Sequence, residues 1–339
     1  MTNLEIDHKP LVSIFMLAYN HEKFISEAIE GVLMQKTTFP IEIIIGEDGS
    51  TDKTASIIKE YAIKHPDLIK ARYNMPNIGM MPNMIKTLQE CTGKYIAFCE
   101  GDDYWTDPNK LQKQVDFLEK NTDFSICYHD ASILENGQFS DSHVPIYDKE
   151  FLTIVDLAKE NCIHTPTCVF RNNLFDKFPE FFNSCPAGDY VLHLLNAQHG
   201  KIKRLPEKMA VYRRHSEGVW AGRQLPSKLN AWLDVLFPLI AYFKDSSEVQ
   251  EKLQTQHLNT LLRLLKTTVS EGDKESLIKA LKKVDTWEVE HVAQYIIGIN
   301  DELVNKKNDI SNINYIINNI SLKDSLKILF KKTYYKLLS

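Results

Sequence analysis

Residues 41–52 read IEIIIGEDGSTD, and this stretch decides the fold class. Four of its first five residues are isoleucine, a β-branched, apolar residue, which predicts a buried strand, and its closing Ser-Thr-Asp is typical of a helix start. A similar run, LVSIFML at residues 11–17, comes earlier, and a helical pattern over residues 24–34 lies between the two. Strand, helix, strand and helix in succession predict a sheet that is largely parallel and covered by helices.

The alternation continues toward the middle of the chain. A strand is predicted at residues 68–73, a helix near residues 83–90 and another strand at residues 95–99. Clusters of polar residues follow two of the predicted strands, at residues 47–52 and 100–105. Because ligands of open α/β sheets bind outside the carboxyl ends of the strands, we expect a site at these two loops.

The composition is that of an ordinary folded protein. The chain has 339 residues, 43% of them hydrophobic and 25% charged, with a formal net charge of −5. Disorder, collagen and coiled coils are excluded, and the acidic balance gives no general attraction to nucleic acid. The six cysteines include no C-x-x-C pair, so we expect buried, reduced thiols in a cytoplasmic protein. The pattern predicts neither a signal peptide nor a membrane-spanning helix.

The length exceeds one domain of roughly 100–200 residues. Strand-like runs disappear after about residue 222, and leucines recur with helical spacing over residues 253–265. We therefore expect a first domain over residues 1–222 and a mainly helical region over residues 223–339. Residues 320–339 carry five lysines against one aspartate. They predict a basic amphipathic helix that lies on an anionic membrane, packs on the protein itself or pairs with a second subunit.

The two polar clusters are rich in carboxylates. Glu47 and Asp48 lie in the first, and Glu100, Asp102 and Asp103 lie in the second. Like charges this close together repel one another unless a cation neutralises them, and carboxylate oxygens suit Mg²⁺ or Mn²⁺. A solvated turn with helix caps is the alternative for either cluster taken alone.

Four motifs occur in a fixed order along the chain: Leu17-Ala18-Tyr19-Asn20, Glu47-Asp48-Gly49-Ser50, Asn77-x-Gly79 and Glu100-x-Asp102-Asp103. Together they resemble glycosyltransferase family 2, and the resemblance covers about residues 10–215. It implies an α/β fold of the GT-A type, here with a C-terminal helical appendage. It also implies a metal-dependent enzyme that transfers a sugar from a nucleotide-diphosphate donor with inversion at the anomeric carbon.

The resemblance gives four residues a role at the nucleotide. Asp48 matches the acid that accepts a hydrogen bond from the base, which favours a UDP or dTDP donor. Ala18 and Tyr19 match the loop that packs on the base or the ribose, and Asn77 matches a nucleotide-contacting position. A turn-forming Asn before Gly79 explains Asn77 equally well.

The family's D-x-D region corresponds to Glu100, Asp102 and Asp103. The resemblance implies that these acids bind the ribose and a metal ion, Mn²⁺ or Mg²⁺, with Asp102 and Asp103 as the metal ligands. Glu100 stands where Asp is commoner, so the division of ribose and metal contacts among the three stays open. Glu100 is assigned to the nucleotide sugar, as is Asp102 in addition to its metal role.

Two later segments complete the resemblance. Asp189, in the sequence GDYVL, matches the catalytic base of the family, and a helix cap is the alternative. The segment YRRH ends in His215, which would complete the metal site, while Arg213 or Arg214 would face the diphosphate. A solvated basic loop is the alternative there. The remaining histidines fit no ligand pattern.

The acceptor implied by the resemblance is a saccharide or a lipid-linked saccharide in bacterial cell-surface polysaccharide biosynthesis. A Q-x-x-R-W motif of processive members is absent, which favours single additions by a cytoplasmic protein, in contact with the inner membrane or as a homodimer. Two other classes compete with this interpretation: a non-catalytic GT-A scaffold or sugar-binding module, and a nucleotidyltransferase. The first is expected to lose some of the key acids, and the second usually has a glycine-rich loop after its first strand.

Overall fold

The computed structural model describes residues 9–142, 144–218 and 220–271. It divides into two compact units, the first ending at Gly222 and the second beginning at Arg223. The basic helix predicted at residues 320–339 lies outside the described residues. Within the described part of the chain, no helix is both long and apolar enough to cross a membrane.

The described residues of the first unit form one sheet and the helices that cover it. The strands are β1 (Val12–Ala18), β2 (Ile41–Glu47), β3 (Ile69–Tyr73), β4 (Tyr95–Phe98), β5 (Tyr104–Trp105), β6 (Phe124–Glu135), β7 (Gln138–Asp141), β8 (Val169–Arg171) and β9 (Lys201–Arg214). The α-helices are α1 (Ile25–Leu33), α2 (Thr54–Lys64), α3 (Met80–Glu90), α4 (Lys110–Lys120), α5 (Ile154–Lys159) and α6 (Gly188–Ala197). Two 3-10 helices cover Thr165–Thr167 and Glu180–Ser184.

The strands follow the order β3-β2-β1-β4-β8-β6-β9-β5, with β7 paired to β6. The first four strands of the chain are parallel, as predicted. The second half of the sheet is mixed, because β8 runs antiparallel to both β4 and β6 and β5 runs antiparallel to β9. The long pair of β6 and β9 is parallel. The prediction of a largely parallel sheet therefore misses only the antiparallel strands, because antiparallel neighbours need no crossover helix and no strand-helix alternation marks them.

The central strands are buried on both faces, as parallel strands between helical layers are. Every residue of β1 is buried, and so are the last six residues of β2. In the register of this pair Ala18 lies opposite Glu47, so the two strands end together. The loops that follow them therefore meet at one edge of the sheet. The loop after β4 joins them there, because β4 is parallel to β1.

Helix α1 packs directly on the backbone of β5. A Cβ atom added to Gly31 would lie 2.9 Å from both the amide nitrogen and the carbonyl oxygen of Trp105. Glycine therefore allows a close approach that any other residue would block.

The described residues of the second unit form the helices α7 (Leu225–Tyr242) and α8 (Ser247–Glu271), in agreement with the helical periodicity of the sequence. Leu233 and Leu236 of α7 and Leu253 and Leu261 of α8 are fully buried. All six cysteines of the chain lie in the first unit, buried and free, as expected.

Candidate active site

The loops after β1 and β2 are joined by backbone and side-chain hydrogen bonds. The amide of Asp48 donates to the carbonyl of Ala18 at 3.0 Å, and the amide of Asn20 donates to the Ser50 hydroxyl at 3.0 Å. Asn20 adopts a φ of 56°, a conformation that Asn tolerates better than most residues. Ala18 is buried, whereas the ring of Tyr19 is 45% exposed beside this loop pair.

The buried carboxylate of Asp48 organises the loop after β3. Its Oδ1 accepts hydrogen bonds from Asn74 Nδ2 at 3.1 Å and from the Ile78 amide at 3.0 Å, and its Oδ2 accepts one from the Gly79 amide at 3.0 Å. A carboxylate has about four acceptor positions, so one position on Oδ2 remains. The exposed Asn77 accepts from the same Gly79 amide at 2.9 Å, as a turn-forming Asn does.

The acids after β4 lie close together. Glu100, Asp102 and Asp103 can each offer one oxygen within 4.8 Å of the other two. Asp103 is 1% exposed; its Oδ1 accepts the Arg213 amide at 2.8 Å, but its buried Oδ2 has no hydrogen-bond partner. The pKa values of Asp103 and Glu100 are raised well above their ordinary values, mainly by burial and secondly by the neighbouring acids. An orphaned oxygen among crowded carboxylates fits a hard divalent cation, so these residues suit Mn²⁺ or Mg²⁺.

Two histidines flank Asp102. His215 Nε2 lies 3.1 Å from Asp102 Oδ2, and His21 Nε2 lies 3.9 Å from the same oxygen. Burial raises the pKa of Asp102, but the hydrogen bond with His215 and the proximity of His21 outweigh it, so the pKa is lowered. The sequence interpretation missed His21. The signal available in the sequence was its place directly after the Leu17-Ala18-Tyr19-Asn20 motif. In the structure His21 packs closely on Gly101, where an added Cβ would lie 2.8 Å from His21 Nδ1.

The guanidinium of Arg213 is occupied by contacts within the protein. Its Nη1 donates to the carbonyl of Asp102 at 2.8 Å, its Nη2 forms an ion pair with Glu27 of α1, and its guanidinium lies 4.4 Å from the centre of the Tyr104 ring. The side chain thus fastens the acidic loop to α1.

Arg214 projects to the opposite face of β9, because successive side chains of a strand alternate. Its side chain is 32% exposed, and Nη1 lies 3.9 Å from the carboxylate of Glu135. Its charge helps to lower the pKa of His164, behind the larger effect of burial. Of the two arginines, Arg214 is the one whose guanidinium is accessible.

Asp189 lies in the first turn of α6 but does not cap the helix. Ala187 is the N-cap residue, and the Thr165 hydroxyl donates to Asp189 Oδ2 at 2.9 Å. The charge of Asp189 contributes to the raised pKa values of Glu100 and Tyr212, although burial is the larger cause in both. Asp189 therefore lies near the acidic cluster, far along the chain from it.

A mixed α/β sheet with an acidic cluster in the loop after β4 is typical of the GT-A class of proteins. The chain belongs to glycosyl transferase family 2, a family of glycosyltransferases, whose model matches residues 13–178. An uncharacterized glycosyltransferase of Haemophilus influenzae is 31% identical over 220 residues, which cover 62% of this chain and 67% of that protein. An uncharacterized protein of Mycobacterium tuberculosis is 41% identical over 211 residues, or 62% of this chain. The chain spans 60% of the length of this mycobacterial relative.

Solved structures share the fold. The Staphylococcus aureus protein TarS in complex with UDP-GlcNAc matches with a TM-score of 0.55 and 17% identity, over 80% of this chain and 79% of that one. A mannosyltransferase from Pyrobaculum calidifontis in complex with GDP-Man and Mn²⁺ matches with a TM-score of 0.56 and 15% identity, over 97% and 87% of the two chains. These matches confirm the GT-A fold predicted from the sequence.

Proposed function

We propose that the protein is a metal-dependent, inverting glycosyltransferase that moves one sugar from a nucleotide-diphosphate donor to an acceptor hydroxyl. The acceptor is a saccharide or lipid-linked saccharide of cell-surface polysaccharide biosynthesis. The observation that carries the proposal is the buried, unpartnered Oδ2 of Asp103 within a group of three acids. The similarity to proteins solved with UDP-GlcNAc and with GDP-Man and Mn²⁺ supports it.

Asp48 favours UDP or dTDP as the nucleotide. Three protein donors already occupy its carboxylate, which leaves about one acceptor position. Uracil and thymine present a single N–H at the ring edge, whereas guanine presents N–H groups on two neighbouring nitrogens. The exposed ring of Tyr19 offers a face for the base or ribose to pack on.

Glu100, Asp102 and Asp103 would hold the Mn²⁺ or Mg²⁺ ion. When bound, such an ion neutralises negative charge on the leaving diphosphate. His215 orients Asp102 through their hydrogen bond. Arg214 has the accessible guanidinium and would approach the donor diphosphate, while Arg213 keeps the acidic loop in place.

Asp189 would act as the base. Thr165 occupies one of its carboxylate oxygens, which leaves Oδ1 to accept the proton of the acceptor hydroxyl as that oxygen bonds to the anomeric carbon. General-base catalysis of this kind typically contributes about 10²- to 10⁴-fold to the rate. Attack opposite to the leaving diphosphate inverts the anomeric centre.

A panel of UDP-, dTDP- and GDP-sugars, with Mn²⁺ or Mg²⁺ and varied saccharide acceptors, tests the proposal. We expect a UDP- or dTDP-sugar to be consumed only with metal present, and Asp102→Ala to abolish consumption. The transferred sugar should have the inverted configuration by NMR. Retention contradicts the mechanism, and no turnover of any donor favours a non-catalytic scaffold.

A further inference from the structure

A short turn that belongs to none of the four motifs contacts four elements of the site. It consists of residues 164–167, His-Thr-Pro-Thr, and includes the 3-10 helix Thr165–Thr167. The His164 ring stacks on Tyr212 of β9 with 4.9 Å between centroids, and the Thr165 hydroxyl donates to Asp189 of α6 at 2.9 Å. The Pro166 carbonyl accepts a hydrogen bond from Trp105 Nε1 of β5 at 2.8 Å. The Thr167 carbonyl accepts one from Gln114 Nε2 of α4 at 2.9 Å.

The backbone of this turn is fixed relative to the acidic cluster. Trp105 is only two residues after Asp103 and is fully buried, so its indole ties the turn to the acidic loop. Gln114 is also fully buried, and its amide group is held further by the carbonyl of Cys127 at 2.7 Å and by Lys110 Nζ at 2.9 Å. Buried hydrogen bonds between fully packed groups restrict movement of the backbone they join.

Thr165 extends this fixed backbone to the carboxylate of Asp189. The Thr165 side chain is buried, and its β-branched structure restricts rotation about χ1. Among the described residues, its hydroxyl is the group that hydrogen-bonds the Asp189 carboxylate. One oxygen of Asp189 is thereby held, and the direction of the other is set.

We propose that Thr165 is a positioning residue, which orients the Asp189 carboxylate toward the acceptor hydroxyl and fixes its distance from the acidic cluster. This inference rests on the proposed function, in which Asp189 is the base. Small errors in the placement of a reacting group are costly, since a displacement of about 1 Å can reduce a rate about 10²-fold.

The test compares Thr165→Val, which removes the hydroxyl at nearly constant volume, with Thr165→Ser, which keeps it. We expect Thr165→Val to lower kcat about 10- to 100-fold. Its donor KM, and its affinity for UDP and Mn²⁺ measured by calorimetry, should stay within about two-fold of the values of the original protein. Thr165→Ser should restore most of kcat. Thr255→Val makes the same change in α8 and should leave kcat unchanged. An equal loss in the Val and Ser variants, or a wild-type kcat in Thr165→Val, overturns the proposal.

A double-mutant cycle with Asp189→Asn shows whether Thr165 acts through Asp189. We expect Asp189→Asn to abolish most of kcat and Thr165→Val to cause no further loss in that background. A full additional loss means that Thr165 acts elsewhere, which overturns the positioning role but leaves the base assignment intact. A normal kcat in Asp189→Asn contradicts the base assignment, and the role of Thr165 with it.

Discussion

Adjacent arginines in β9 have different surroundings, and this difference supports different proposed roles for them. Arg213 is buried and bonded to the Asp102 carbonyl and to Glu27, whereas Arg214 is a third exposed. The sequence YRRH does not show which of the two faces the donor site, because alternating side chains of a strand can be assigned to a face only when the neighbouring strands are known. The contacts of each guanidinium favour Arg214 for the proposed role at the diphosphate.

We predict that Arg213→Ala lowers the free energy of unfolding by about 2 kcal/mol, because it removes charge-assisted hydrogen bonds and leaves a buried carbonyl unsatisfied. Arg214→Ala should change it by less than about 0.5 kcal/mol and instead lower kcat about 10- to 100-fold. Urea denaturation and steady-state kinetics of both variants measure these effects. A stable Arg213→Ala protein beside an unstable Arg214→Ala protein would reverse the assignment.

The hydrogen bond between His215 and Asp102 leads to a second prediction at this scale. Loss of a group that orients a metal ligand typically weakens metal binding about 10- to 100-fold. We expect His215→Ala to weaken Mn²⁺ binding by that amount in calorimetry with UDP present. The exposed His199 provides the control, since His199→Ala should bind Mn²⁺ normally. Unchanged affinity in His215→Ala would remove His215 from the metal site.

At the scale of elements, helix propensity and packing make opposite predictions for Gly31, at the contact between α1 and β5. Alanine is a better helix former than glycine by about 1 kcal/mol, so propensity alone predicts that Gly31→Ala stabilises α1. The added Cβ, however, would lie 2.9 Å from backbone atoms of Trp105, which cannot rotate away. Overpacking of this kind costs about 1–3 kcal/mol.

Because the close contacts are with backbone atoms, we take the upper part of this range, about 2–3 kcal/mol. Less the gain of about 1 kcal/mol in helix propensity, we predict that Gly31→Ala lowers the free energy of unfolding by about 1–2 kcal/mol. Equilibrium urea denaturation of the two proteins measures the difference. Equal or higher stability in the variant would mean that α1 and β5 separate easily.

The first half of the sheet could be predicted from the sequence because β1 and β2 are long, mostly apolar runs and each is followed by a helical pattern. The short strands β5 and β8 of the second half could not be predicted, because two and three residues are too few for a periodicity. The proximity of Glu100, Asp102 and Asp103 was predictable because they are neighbours in the chain. His21 and Thr165 were not, because only the folding of distant segments brings them to Asp102 and Asp189.

At the scale of the whole molecule, buried histidines make stability depend on pH. Burial lowers the pKa of His193 and of His164 to about 4, and lowers the pKa of His129 well below its ordinary value. Between pH 6.5 and about 4 the unfolded chain therefore binds protons that the folded chain does not. The free energy of unfolding falls as the pH falls through this range, by up to about 1.4 kcal/mol per pH unit for each histidine.

Urea denaturation at a series of pH values between 7.5 and 4.5 measures this dependence. Acidic residues also titrate near the lower end, so the informative comparison is with His193→Gln. We predict a shallower fall for that variant, because one of the buried titrating groups is gone. Parallel curves would show that His193 has the same pKa in the folded protein as in the unfolded chain.

The lysine-rich segment at residues 320–339 leads to a proposal about location. We propose that it binds anionic lipid, which would bring the enzyme to a lipid-linked acceptor; packing on the protein or on a second subunit is the alternative. The full chain should sediment with anionic liposomes, whereas a chain ending at residue 319 should not. Equal, negligible binding by both proteins would remove the membrane role.

The hydrogen bonds from Trp105 and Gln114 to the 164–167 turn constrain how this sequence can be recombined with those of its relatives. A crossover between residues 115 and 163 would take the turn from one parent and both of its anchors from the other. Such a hybrid would inherit every motif, but its 164–167 turn would come from a different parent than the Trp105 and Gln114 side chains that hydrogen-bond it. Shuffled libraries of this family should therefore exchange residues 105–167 as one block, with crossovers placed outside it.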